Sequence, residues 1–454
     1  MSTSRTVEVQ SFLNSHPFSR LQWAIFGLCF VVVLLDGFDT AAIGYIAPSL
    51  ITEWGIAPPA LAPVLSAALF GLAAGALSSG PLADRLGRRT VLIVAVLVFG
   101  AACLASAFSG SLDQLVGWRF VTGLGLGAAM PNAVTLTSEF CPDARRSTLT
   151  NTMFCGFPFG AACGGFLAAW MIPHWGWRSV LLLGGTTPVV LGLAMIAVLP
   201  ESVRHMVAKH QPAERIRAVL CRISASAADA TAFVMTERAA PARAGSGAGV
   251  VLSRPYIVGS VMLWVAYFMG LVIFYALINW MPILFRTAGM PPAEAALISA
   301  LFPLGGVGAI LSGWLMDRFN ANKVIAASFA LTAVGVWAIG QTAGMLGLLM
   351  LMVFVAGTLM NTAQSSLPAL AAAFYPTQGR ATGVAWMLGL GRFGGIVGSF
   401  LVAALTRRHL AFDSIFTVVA VPGLVAAAAL MIKQFAAPEG SRARVAAGGE
   451  VLGH

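Results

Sequence analysis

Twelve apolar runs, each at least as long as a membrane-crossing helix, constrain this chain more than any other feature of its sequence. They fall at about 21–47, 60–82, 90–110, 115–138, 148–171, 179–200, 255–284, 294–316, 323–342, 345–374, 381–405 and 411–432. At a rise of about 1.5 Å per residue, each is long enough as a helix to cross a hydrocarbon layer about 30 Å thick. The expected fold class is an all-α integral membrane protein of twelve transmembrane helices, with the lipid bilayer as its largest partner. Composition agrees: 58% of the residues are hydrophobic and 10% charged, against roughly 25% charged in a soluble chain. An ordinary soluble globule is excluded.

A hydrophilic stretch divides the first six runs from the last six. The organisation that follows is an N-terminal arm at 1–20, a six-helix bundle at 21–200, a central loop at 201–254, a second six-helix bundle at 255–432 and a tail at 433–454. The loop carries a helix-like AERIRAVLCRI and a linker-like PARAGSGAGV. With strictly alternating loops, 21 of the 27 Lys and Arg share a side with the arm, the central loop and the tail; four lie opposite, and Arg119 and Arg392 lie within spans. Positive charge marks the inner face of a membrane, so both termini are expected in the cytoplasm. The net charge of +10 therefore encodes topology. No basic patch interleaves with aromatic residues, and no nucleic-acid partner is expected. The polar arm, followed by a long span with two aspartates, does not read as a cleaved signal peptide. Six cysteines without paired or metal-ligand spacing are expected to be free thiols, with no metal and no cofactor.

The two halves repeat each other at a constant offset. GPLADRLGRR at 80–89 aligns with GWLMDRFNANK at 313–323, matching Asp84 with Asp317 and Arg85 with Arg318 at an offset of 233. CPDARR aligns with YPTQGR, matching Pro142 with Pro376 and Arg146 with Arg380 at 234, and Pro48 and Pro282 differ by 234 as well. Duplication of this kind implies a pseudo-twofold axis along the membrane normal and a substrate site between the halves near the midplane.

With twelve spans, a central loop and GPLADRLGRR after the second span, the chain resembles the major facilitator superfamily over its whole length. LDGFDTAAIGYIAP at 35–48 looks like the first-span signature of the bacterial aromatic acid:proton symporters. YFMGLVIFYALINWMP at 267–282, ALFPLGGVGAILSGWLMDRFN at 300–320 and NTAQSSLPALAAAFYPTQGRATGVAWMLGLGRFGG at 361–395 look like the 4-hydroxybenzoate and protocatechuate importers of that family. The resemblance implies two pseudo-symmetric six-helix bundles that take up an aromatic carboxylate with protons, by alternating access, across a bacterial inner membrane to supply ring-degrading enzymes. Two alternatives stay open: an exporter of organic acids by proton antiport, and a transporter-like sensor of aromatic acids. No histidine lies mid-membrane, and there is no phosphate loop, zinc spacing or nucleophile elbow, so an enzyme is not expected.

Asp36 and Asp39 stand three apart in the first span and share a helix face. Counted from Trp23, they sit on the order of 20 and 24 Å in. A charged carboxylate at that depth must face a wet cavity, pair with a cation or be protonated, and a neighbour of like charge favours the protonated form, so the pair is assigned to proton coupling, with a structural cap or pairing to a neighbouring helix as the alternative for Asp36. Arg392 lies roughly 16 Å into the eleventh span. Its planar fork suits an aromatic carboxylate, with a structural ion pair as the alternative.

Arg119 opens RFVTGLGLG, which resembles the superfamily's fourth-span motif, where the arginine is implicated in proton transfer; snorkelling to the nearby helix end is the alternative. Glu139, close to Arg145 and Arg146 in sequence, is placed with the coupling or gating charges. Asp84 with Arg85, Arg88 and Arg89, and Asp317 with Arg318, look like the superfamily's loop motif, whose charges latch the inner face, and Arg145 and Arg146 beside Glu139 are further gating candidates. An aromatic ring needs apolar walls with a few placed polar groups. Tyr45, Asn132, Tyr275, Asn279, Trp280, Gln364 and Trp386 are the candidates for that lining.

Overall fold

Long apolar runs leave the backbone as the only partner for its own polar groups, and in this protein they wind into long helices. A computed structural model describes residues 5–235, 247–308, 318–342, 344–375 and 377–436. The chain opens with β1 (Arg5–Glu8) and α1 (Val9–Ser15), then runs through α2 (Arg20–Trp54), α3 (Ala62–Leu86), α4 (Arg88–Ala107) and α5 (Leu112–Phe140). The helices α6 (Asp143–Phe154), α7 (Gly156–Trp175) and α8 (Arg178–Val198) follow. Next come α9 (Val203–Ala208), α10 (Ala213–Cys221), β2 (Ala230–Val234) and α11 (Gly247–Val251). The second half holds α12 (Ile257–Thr287), α13 (Pro292–Leu304), α14 (Ala321–Gln341), α15 (Leu346–Phe374), α16 (Thr377–Arg407) and α17 (Phe412–Ala436).

Ten helices among the described residues are long and apolar enough to cross a bilayer. The other two of the expected twelve differ for separate reasons. At 29 residues, α5 spans about 43 Å, but Asp113, Gln114, Arg119, Asn132 and Glu139 dilute its hydropathy. The eighth run begins as α13 and continues into 309–317, outside the described residues. The repeat seen in the sequence extends to element boundaries. The helices α15, α16 and α17 start at the same offset of 234 from α5, α6 and α8, and α14 starts at 233 from α4.

Two compact units emerge from the contacts. The first comprises Met1–Asp39, Phe70–Gly160 and Leu181–Ala240. Within it α4 packs along α5. The crossing of α2 with α7 is closer still, because a Cβ on Gly160 would overlap the Leu34 carbonyl and one on Gly37 the Phe157 carbonyl. Glycines at both sites let the backbones touch. The arm also belongs here: β1 pairs in parallel with β2 of the central loop. Asn14 Nδ2 donates to Asp143 at 2.8 Å, and Arg204 donates to Gln10 at 2.7 Å. The second unit comprises Thr40–Leu69, Ala161–Val180 and Pro241–His454. There α16 lies against α12 through Gly394 and Gly398, and α14 packs on α17.

Candidate functional site

In the first unit, α2 carries Asp36 and Asp39 one turn apart, 3% and 1% exposed. The glycine crossing sets the depth at which this turn sits, and α5 delivers Arg119 to it. Arg119 Nη1 donates to Asp39 Oδ1 at 2.7 Å, and its Nη2 reaches the Asp39 carbonyl oxygen at 3.5 Å. At 1% exposure the guanidinium turns inward to the carboxylate and does not snorkel to the helix end. Two buried charges at contact distance offset much of each other's desolvation, whereas either alone would be costly.

Cys103 of α4 joins the pair from a position whose apolar surroundings gave no signal in the sequence. Its Sγ lies 3.5 Å from Asp39 Oδ1 and 3.5 Å from the Leu181 carbonyl oxygen of α8. Oδ1 therefore takes both donors, while Asp39 Oδ2 and Arg119 Nε are buried with no hydrogen-bond partner among the described residues. The carboxylate thus has one oxygen held by two donors and the other bare.

Most of the remaining candidates lie in the other unit, on α12, α15 and α16. Asn279 Nδ2 donates to Ser399 Oγ at 3.1 Å, leaving Asn279 Oδ1 unpartnered among the described residues. Gln364 Nε2 donates to the Tyr267 carbonyl at 3.3 Å, and Gln364 Oε1 is likewise left over. Trp280 is fully buried and its Nε1 has no acceptor among the described residues. Trp386 is 36% exposed, its ring 5.9 Å from that of Trp264. Arg392 is half-buried on α16 and acts electrostatically on Tyr267, against whose ring Gly391 packs; Tyr275 packs on Phe274 and Gly395. Tyr45 donates to the Ala161 carbonyl at 3.1 Å. Asn132, in the first unit, donates to the Ala128 carbonyl of its own helix at 2.8 Å. These contacts fall in separate groups along α12: Tyr267 with Gln364 and Arg392, and Trp264 with Trp386, near its start, and Asn279 with Ser399 about 18 Å beyond Tyr267. Trp264, Tyr267 and Ser399 touch the candidates and read as ordinary packing in the sequence.

The loop charges of the first unit form another cluster, with partners the sequence order does not suggest. Arg88 Nε lies 3.7 Å from Glu139 Oε1, and the Ser202 hydroxyl donates to the same carboxylate. Arg89 donates to the carbonyls of Leu199 at 2.6 Å and Ile196 at 2.7 Å, and its backbone N–H to Glu201 at 3.2 Å. This docking needs Gly87 at φ +96°, since a Cβ there would run into the Glu201 carboxylate. Arg146 pairs with Asp143 at 2.8 Å, and Arg85, Arg145 and Arg318 are exposed. The Asp84 side chain and all of Asp317 lie outside what is described. Sequence reasoning missed Glu201 and Ser202, which follow the sixth run within LPES. It also missed Glu53, which accepts from Trp177 Nε1 and Arg178 Nη1, each at 2.6 Å, in the second unit. The cysteines among the described residues are free, and burial pushes the Cys141 thiol up to about 11.

Comparison with known proteins adds the family. The family model for the Major Facilitator Superfamily matches residues 29–311 and 263–451. The chain is 50% identical to the 4-hydroxybenzoate transporter PcaK of Pseudomonas aeruginosa, over 94% of this chain and 96% of that protein. It is 44% identical to a gallate transporter of Pseudomonas putida, over 94% of each. A crystal structure of a D-xylose-proton symporter superposes with a TM-score of 0.69 at 18% identity, over 92% of this chain and 98% of that one.

Proposed function

Because this chain belongs to the Major Facilitator Superfamily, we propose that it imports aromatic carboxylates such as 4-hydroxybenzoate, protocatechuate or a related benzoate, coupled to proton entry, by alternating access. The observation that carries the coupling is the buried Asp39–Arg119 pair with Asp39 Oδ2 left bare. A proton landing on Oδ2 neutralises the carboxylate and leaves the Arg119 guanidinium charged in a site where a lone cation is costly. Asp36, one turn away, shares or exchanges the proton, and Arg392 supplies the planar fork for the substrate carboxylate.

The substrate class is supported by the 4-hydroxybenzoate and gallate transporters among the relatives. In this reading the chain forms two six-helix halves, 21–200 and 255–432. The Glu139, Arg88 and Arg89 contacts latch the first half on its cytoplasmic face, with both termini in the cytoplasm of a bacterium and the spans in its inner membrane. The work is transport, without a catalytic step. A radiolabelled uptake panel of benzoate, 4-hydroxybenzoate, protocatechuate and vanillate in proteoliposomes tests it. Accumulation of at least one of these acids, collapsing when a protonophore is added, is the expected result. Failure to accumulate any of them, or accumulation indifferent to the protonophore, refutes the proposal.

A further inference from the structure

We propose that Cys103 is a positioning residue for the proton site: its thiol donates to the Asp39 oxygen that Arg119 also holds, and so helps set the pH at which Asp39 takes its proton. The inference rests on reading Asp39 as the proton carrier. Cys103 is fully buried, and its Sγ stands at equal distance, 3.5 Å, from Asp39 Oδ1 and the Leu181 carbonyl oxygen. One S–H serves one acceptor well at a time. While Asp39 is ionised, Oδ1 wins, because a hydrogen bond to a charged acceptor is roughly twice as strong as one to a neutral carbonyl. Once a proton binds at Oδ2, Oδ1 is a neutral carbonyl oxygen and that advantage over Leu181 disappears. The thiol hydrogen can then rotate to Leu181 without any heavy atom moving.

The charged and titratable groups around Asp39 are few. Arg119 faces it from α5, Cys103 from α4, and Asp36 stands one turn earlier on α2 itself. The α8 segment beside Cys103, Leu181 to Gly184, carries no titratable side chain. The bare Oδ2 is the second observation, independent of the cysteine: the proton has a landing atom on the same carboxylate whose other oxygen the thiol holds.

Removing a donor to the ionised form disfavours that form. In Cys103→Val, which keeps the bulk and loses the S–H, the pH of half-maximal 4-hydroxybenzoate uptake by proteoliposomes is expected to rise by about half to one unit. A role in packing alone would change the rate and leave that midpoint in place. Infrared spectroscopy of the wild-type protein reads the thiol directly, its S–H stretch identified by its absence from Cys103→Val. The band is expected to move to higher frequency as the pH falls through the uptake midpoint, and to stay still in Asp39→Asn. An unmoved midpoint in Cys103→Val, or a wild-type S–H band indifferent to pH, overturns the proposal. Asp39→Asn separates this from the parent reading: proton-driven uptake that survives it refutes the role of Asp39, whereas uptake lost there with an unmoved Cys103→Val midpoint refutes only the role of the thiol.

Discussion

Breaking the Asp39–Arg119 pair from either side should have unequal consequences. With 2.7 Å between the charged atoms and both side chains 1% exposed, removing one partner leaves an uncompensated buried charge, a loss of about 3–5 kcal/mol. For a chain of this size that corresponds to a fall of roughly 5 °C in melting midpoint. The lone carboxylate in Arg119→Gln can shed its charge by taking up a proton, whereas the lone guanidinium in Asp39→Asn cannot. Arg119→Gln should therefore lose less than Asp39→Asn. The double variant has no charge left to bury and should melt above both single variants. Thermal unfolding of the purified proteins in detergent measures all four corners of the cycle. Single losses that simply add in the double variant would refute the idea that the pair is what stabilises either charge.

Asp36→Asn and Asp39→Asn should each abolish accumulation against a gradient while the chain still inserts, since an amide keeps the shape but exchanges no proton; wild-type accumulation by both would remove the aspartates from the coupling step. Arg392→Lys should weaken 4-hydroxybenzoate binding roughly tenfold in calorimetry despite retaining charge, because the planar fork is lost. Two protons with one monoanion would carry +1, so about 100 mV inside-negative should raise accumulation roughly fiftyfold at equal pH on both faces. We expect a voltage response, and uptake indifferent to a valinomycin-clamped potential would leave one proton per monoanion. Gly160→Val should force α2 and α7 apart at the Leu34 carbonyl, seen as loss of the monodisperse peak on size-exclusion chromatography; a normal elution profile and wild-type uptake would show the crossing to be tolerant.

The helices were legible because apolar length and helix formation are one constraint in lipid, and the duplication was legible because insertions had not disturbed its offset. Pairing was another matter. Asp39 and Arg119 each stood out alone as a charge within an apolar run, but their contact spans 80 positions and depends on how α2 meets α5. Glu139 invited pairing with its sequence neighbours Arg145 and Arg146. The turn into α6 instead gives Arg146 to Asp143 and leaves Glu139 to Arg88 and Ser202. Cys103 carried no signal, since a buried cysteine in an apolar run looks like any small hydrophobe. The arm and central loop read as hydrophilic connectors because so short a strand has too little pattern to announce a partner on the far side of six spans.

That strand pairing also puts an order into the making of the protein. Arg5–Glu8 precedes the first six spans, and its partner Ala230–Val234 is made only after them. At about 5–20 residues per second the early strand waits roughly 10 to 45 seconds. The stitch can close only after all six intervening spans have been made, so a closed stitch reports a first half whose chain is complete.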